Sequence, residues 1–204
     1  MVILRAKTVE LVRITASHTF NILAKWFDKS KLKLNSAKTH FMYLVSHQRA
    51  GANDLSADLI FGTDSVTPSL KEKLLGIQMA TTMSMKYHLL EGEDSLVERI
   101  GMKMRGLWQL RNVLSFKARK STALGLVMSR IMFSIEVWGP SATEQQIQQI
   151  QTCQNQILRF ICRVGREARL NDMLRMTGMI SIRQLIAYRV LISGLNFLYT
   201  QKPE

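Results

Sequence analysis

Beyond Ser84 the apolar residues recur every three or four positions almost to the C-terminus, and this spacing constrains the fold more than any other feature. Only a helix gathers such positions on one face, since a strand needs alternation at every second residue. Leu96, Ile100, Met104, Leu107 and Trp108 make a first set. They follow Gly92-Glu93-Asp94-Ser95, whose acids complement the positive end of a helix dipole. Ser115 is placed to cap a second helix carrying Leu124, Val127, Ile131, Ile135 and Trp138, which Gly139-Pro140 is expected to stop. Ser141 with Glu144 fits a capping box for a third helix carrying Ile147, Ile150, Ile157, Ile161 and Val164, closed by Gly165. A short helix over 170–176 ends at Gly178. Ser181 with Gln184 caps a last helix running to about Tyr199. The isoleucines at 147, 150 and 157 make the glutamines of 145–156 a polar helix face, not a low-complexity tract.

The first part of the chain reads differently. Val9, Val12, Ala16, Phe20, Leu23 and Phe27 define one face of an amphipathic helix that Asp28-Lys29-Ser30 ends. Lys31-Leu32-Lys33-Leu34 alternates with period two, as a half-buried strand does. Asn35-Ser36-Ala37 is turn chemistry. Residues 41–45 are apolar on both faces, which predicts an interior strand. Leu59-Ile60-Phe61 predicts a short strand among loops, and residues 74–79 a further one. The expected class is α+β: a small helix-plus-antiparallel-sheet unit over 1–90, then a mainly α-helical bundle over 91–204.

The charge of +13 is unevenly spread. Residues 1–50 carry nine Lys/Arg against two acids, residues 51–100 four against eight, and the rest fifteen against five. Excess positive charge opposes compaction unless a polyanion neutralises it, which points to nucleic acid as a partner. Basic residues recur on the expected helices: Arg99, Lys103 and Arg111; Lys117, Arg119 and Lys120; Arg159, Arg163 and Arg166. The last three share a side at helical spacing, as a phosphate-facing stripe would. A solvated helix face reads the same way. Cys153 and Cys162 have neither disulfide-framework nor metal-ligand spacing, and the four histidines form no ligand pattern, so no metal or cofactor is assigned to this chain. Trp26, Trp108 and Trp138 read as core. No stretch is long and apolar enough for a membrane span. An intracellular protein, nuclear or cytoplasmic, is expected.

Two short stretches carry a resemblance. Lys31-Leu32-Lys33-Leu34-Asn35-Ser36-Ala37-Lys38-Thr39, followed by Lys73-Leu74-Leu75-Gly76-Ile77, resembles the end of the palm of non-LTR retrotransposon reverse transcriptases. There a "LKLN..KT" turn precedes a hairpin and an "LG" strand that grips the primer. Met85-Lys86-Tyr87-His88 is similar to a further "W..H" step but has Tyr87 where Trp is expected. Ile135-Glu136-Val137-Trp138-Gly139 and the Gln151 to Arg159 segment are similar to helices beyond the polymerase core of such elements.

The resemblance implies that Lys38 lies near the departing pyrophosphate, donating a proton or neutralising charge. Asn35, Thr39, Leu75 and Gly76 would contact nucleic acid, with Gly76 letting a backbone come close. Without the family, Lys38 is a surface lysine and Asn35 closes a turn. The aromatic-Ala-Asp-Asp sequence that holds the catalytic metals is absent from these residues. The expected partners are thus an RNA template, a DNA primer and a missing N-terminal polymerase segment. Mg²⁺ is implied only for the complete enzyme, and this chain alone is expected to be inactive. A decayed or domesticated remnant acting as a non-enzymatic nucleic-acid-binding or protein-interaction module is the alternative.

Overall fold

In the computed structural model the chain divides into two units, Met1–Ser84 and Met85–Glu204. The structure describes residues 2–32, 35, 38–52, 54–61 and 64–200. Among these the fold is α+β, with helices dominating and two small antiparallel sheets of two strands each. Among the described residues no helix is long and apolar enough to cross a membrane.

The first unit opens with α1 (Val9–Lys29), where the Thr8 hydroxyl accepts from the Leu11 N–H and so satisfies one of the free donors of the first turn. Its expected face turns inward: Ala16 is fully buried, and Val9, Val12, Phe20, Leu23 and Phe27 are half-buried. α1 packs on β1 (Leu59–Phe61), whose Leu59 has no exposed surface. β1 pairs with β2 (Asp64–Val66). A short helix, α2 (His47–Ala52), precedes them.

Several expectations change here. Residues 41–45 do not form a strand. Phe41 makes an isolated bridge to Pro68, and Val45 N–H donates to the Thr81 carbonyl at 2.9 Å, so the segment is tethered at points and lacks a ladder. The expected strand over 74–79 is instead a hairpin. β3 (Lys71–Leu74) and β4 (Ile77–Ala80) pair in antiparallel register through a two-residue turn at Leu75-Gly76. Both turn residues have positive φ, 48° and 87°, which matches the right-handed twist of the flanking strands. Gly76 therefore lies in a turn and not in a strand. Trp26, expected in the core, is 57% exposed. Of the expected strand 31–34, Lys31 is in a turn and Leu32 has no regular structure; Lys33 and Leu34 lie outside the described residues.

The second unit is helical: α3 (Lys86–Leu89), α4 (Leu96–Gln109), α5 (Phe116–Ala123), a π-helical segment (Leu124–Met128), α6 (Ser129–Met132), α7 (Ile135–Ser141), α8 (Glu144–Cys162), α9 (Leu170–Thr177) and α10 (Ile182–Thr200). α8 is the central element. It buries Ile150, Cys153, Gln154, Ile157, Leu158, Phe160 and Ile161 against α4, α5, α9 and α10. Each fully buried aliphatic side chain there contributes roughly 1.5–3 kcal/mol.

Ser115 caps as expected, its hydroxyl accepting from the Ala118 N–H, and Ser95 caps α4 in the same way, accepting from the Glu98 N–H. The capping box of α8 belongs to Thr143 and Gln146, not to Ser141 and Glu144. α8 ends at Arg163, which adopts the left-handed conformation with φ 62°, two residues before Gly165.

Gly139-Pro140 does not end a helix but lies inside α7. The break falls earlier, at Phe133-Ser134, where Ser134 has φ 50°. Gly139 serves packing: a Cβ there would stand 2.8 Å from Ile186 Cγ2 on α10. Nor are the glutamines merely a polar face. Gln154 is fully buried and donates to the Ile180 carbonyl at 2.8 Å, while the Ile182 N–H donates to Gln151 Oε1 at 2.9 Å. These bonds seat the first turn of α10 on α8. Further along, every residue from 191 to 200 is exposed.

Candidate functional site

The most concentrated charge in the second unit lies where α4 and α8 end. Arg111 follows α4, Arg159 sits in the last turn of α8, and Arg163 and Arg166 follow it. On a continuing helix the last three would make a stripe. Because Arg163 turns left-handed, the chain doubles back, and one Arg159 Nη donates to the Arg166 carbonyl at 3.5 Å. The expected row is a cluster.

Fixed contacts orient it. One Nη of Arg111 donates to the Val164 carbonyl at 2.9 Å, and its guanidinium lies 4.8 Å from the Trp108 ring centre. Trp108 in turn meets Phe160 edge-on at 6.1 Å. Arg163 donates to Asn112 Oδ1 at 3.0 Å. Trp108, Arg111, Gln156, Arg159, Val164, Gly165 and Arg166 enclose a cleft of about 610 Å³. No acid lines it, although the Glu167 carboxylate stands against Gly165 so closely that a Cβ on Gly165 would collide with it.

Among the described residues none of these four arginines is ion-paired. The Nε–H groups of Arg111 and Arg159 are buried and have no acceptor. Each guanidinium has five donors in a planar fork, and the carbonyl contacts use one apiece. The remainder suits an anion with several oxygens, for which arginine forks are geometrically matched.

Arg119 was expected beside them and is not there. It is 6% exposed, and its donors go to the Ile161 carbonyl at 2.9 Å, the Leu114 carbonyl at 2.5 Å and the Arg111 carbonyl at 3.4 Å. A buried guanidinium without a carboxylate is held here by carbonyl dipoles, one of them at the negative end of α8. Its work is to join the end of α8 to the α4–α5 connection. Lys120 on the same helix is half-buried, and Lys103 on α4 is exposed. Neither lines the cleft.

In the first unit the Asn35 carbonyl accepts from the Lys38 N–H at 3.1 Å and from the Thr39 hydroxyl at 2.9 Å, so these three residues form one corner. Lys38 is exposed there. His40, two residues on, contacts Glu72 on β3 at 3.0 Å and ties the corner to the hairpin. Leu75 and Gly76 lie at the hairpin tip, at most about 10 Å farther along for Leu75 at the usual strand rise. Leu75 is 87% exposed.

Asp54 is bound to its neighbour: the Ser56 hydroxyl and N–H donate to it and hold its carboxyl below the usual range. Among the described residues no three His, Cys, Asp or Glu side chains converge to hold an ion, so no catalytic step is routed through Mg²⁺ here. Burial pushes the Cys153 thiol up to about 11, the behaviour of a packing residue and not of a nucleophile.

Sequence reasoning found Arg111, Arg159, Arg163 and Arg166 but missed Trp108 as a cleft wall, and Asn112 and Glu167 beside them. The spacing of Trp108 and Arg111 was the available signal, since an arginine three residues after an indole can lie over its face. No family model, curated protein or solved structure matches this chain.

Proposed function

We propose that the chain is the end of the palm and the thumb-like helical region of a non-LTR-type reverse transcriptase, a segment that grips nucleic acid and transfers no nucleotide by itself. The observation that carries this reading is the convergence of Arg111, Arg159 and Arg166 on one cleft, with Arg163 beside them on Asn112, and with no ion-paired carboxylate among the described residues. Keeping like charges together costs stability unless a polyanion compensates.

The corner at Asn35, Lys38 and Thr39 supports it independently, because it holds an exposed lysine beside a hairpin that begins with Lys71 and Lys73. In the reading Lys38 would neutralise charge on a departing pyrophosphate only with the metal-binding part of a polymerase present. An exposed leucine in a left-handed turn is a further sign, since such a residue persists where something other than folding retains it.

Filter binding of an RNA–DNA hybrid across a salt series tests the proposal. The expected slope of log affinity against log salt is negative, at about 0.9 per phosphate contacted. Arg163→Gln with Arg166→Gln should make it shallower by roughly one to two. A flat salt response would overturn the reading, as would Mg²⁺-dependent primer extension by this chain alone.

A second reading rests on the exposed end of α10, where Leu191, Ile192, Leu195, Phe197 and Leu198 face solvent. There the chain would dock on a protein partner. Sedimentation that stays monomeric at rising concentration, with no partner retained, removes it.

A further inference from the structure

We infer that the cleft at the ends of α4 and α8 seats a terminal phosphate monoester of a polynucleotide, in preference to the phosphodiesters along its length. The inference rests on the nucleic-acid reading above and sharpens what the cleft would take.

The first argument is charge geometry. Each strand of a duplex presents one negative charge for about each 3.4 Å of rise, which a linear stripe of cations matches best. This site is not a stripe. The left-handed residue at Arg163 brings the Arg166 backbone back to the Arg159 side chain, so Arg159, Arg166 and Arg111 line one open cleft. Concentrated cations match a concentrated anion, and a phosphate monoester carries close to two charges and three acceptor oxygens on one atom.

The second argument is unfilled hydrogen-bonding capacity. The Arg111 and Arg159 Nε–H groups are buried without acceptors, although both side chains are already oriented by carbonyls. A bidentate contact with phosphate pairs two N–H groups of one guanidinium, and each of these side chains keeps Nη donors beyond the one its carbonyl takes. A phosphodiester has only two non-bridging oxygens for three forks, whereas a monoester has three.

The third argument concerns Glu167. Its carboxylate rests against Gly165 in space that a Cβ would fill. It is the acid placed to oppose an anion, and its neutralisation should strengthen binding.

The test compares oligonucleotides of one sequence ending in 5′-phosphate, 3′-phosphate or hydroxyl at both ends, by fluorescence anisotropy at fixed salt. One phosphorylated end is expected to bind about tenfold tighter than the hydroxyl form, and the arms tell which end is used. The preference should fall as the pH drops through about 6, where the monoester takes up its second proton, while hydroxyl-ended binding keeps its affinity. Arg166→Gln removes an exposed side chain and should bring the ratio close to one in a folded protein; Arg159→Gln should do the same. Glu167→Gln should raise the ratio. Equal affinity for all three ends, with binding retained, overturns this inference and leaves the nucleic-acid reading standing. Failure of every oligonucleotide to bind overturns both.

Discussion

The two units reach stability by different routes. In the second unit Trp138, Phe160, Ile131, Ile135, Ile150, Ile157 and Leu158 are all buried to the last ångström, and α8 threads through them. In the first, among the described residues, the comparable list stops at Leu59, with Ala16 fully buried as well and Tyr43, Val66 and Ile77 nearly so. Its strands are three or four residues long, and residues 41–45 are held by single bonds. Tyr43 shows the consequence. Its hydroxyl is buried without a partner, and burial pushes its pKa up against the opposing pull of Arg13. A helix satisfies its own backbone and can spend its side chains on packing. Short strands must find partners for both.

The contrast is broken or sharpened first by truncation. Trp138 has no exposed surface, and its indole N–H donates to the Phe133 carbonyl at 3.1 Å across the break before α7. Trp138→Ala should cost about 3–5 kcal/mol. Leu59→Ala should fall near the lower end of the 2–5 kcal/mol range for such changes, because exposed neighbours such as Ile60 let the site collapse. Urea unfolding, followed by hydrogen exchange at amides of each unit, reads both. An equal or larger loss for Leu59→Ala would mean that the first unit has the tighter core.

The second comparison is between two arginines. Arg119 gives its donors to three carbonyls inside the bundle, whereas the Arg166 side chain is exposed. Arg119→Met leaves buried carbonyls unpaired and should cost about 2–3 kcal/mol. Arg166→Gln should stay within about 0.5 kcal/mol yet weaken nucleic-acid binding. Thermal unfolding beside salt-series binding separates the two. If Arg119→Met were neutral in stability and lost binding, the assignment of roles would be reversed.

These residues also show how far the sequence could be read. The helices of the second unit were legible because burial there follows the 3.6-residue period, and α9, α10 and the Ser115 cap lie where the pattern puts them. The errors fall at element ends, where one residue's φ decides. Arg163 and Ser134 take left-handed conformations that nothing in their chemistry advertises, and Gly139-Pro140 reads as a stop although the helix runs through it. The arginine cluster follows from that same hidden turn at Arg163, so a periodic reading sees a stripe. Arg119 looked like its neighbours because sequence gives charge and not depth. In the first unit the apolar run 41–45 suggested a ladder, but a ladder depends on a partner strand that local pattern does not reveal.

The smallest expected effect concerns the hairpin. Leu75 and Gly76 occupy the two central positions of the β3–β4 turn with positive φ. Asn-Gly is the pair this geometry favours, and a leucine there crowds its Cβ against the following carbonyl, at about 1–2 kcal/mol. Burial does not compensate, since Leu75 is the most exposed large apolar residue of the chain's described part. Leu75→Asn should therefore stabilise the first unit by about 1 kcal/mol, seen as slower exchange of the β3 and β4 amides. If the hairpin tip meets nucleic acid, as the proposed function holds, the same change should weaken hybrid binding while the fold gains. A gain in stability with unchanged binding would make Leu75 a tolerated misfit and take the tip out of the interface. A loss of stability would mean that the leucine is covered by packing, and the contrast between a sparsely held first unit and a densely packed second would narrow at its most exposed point.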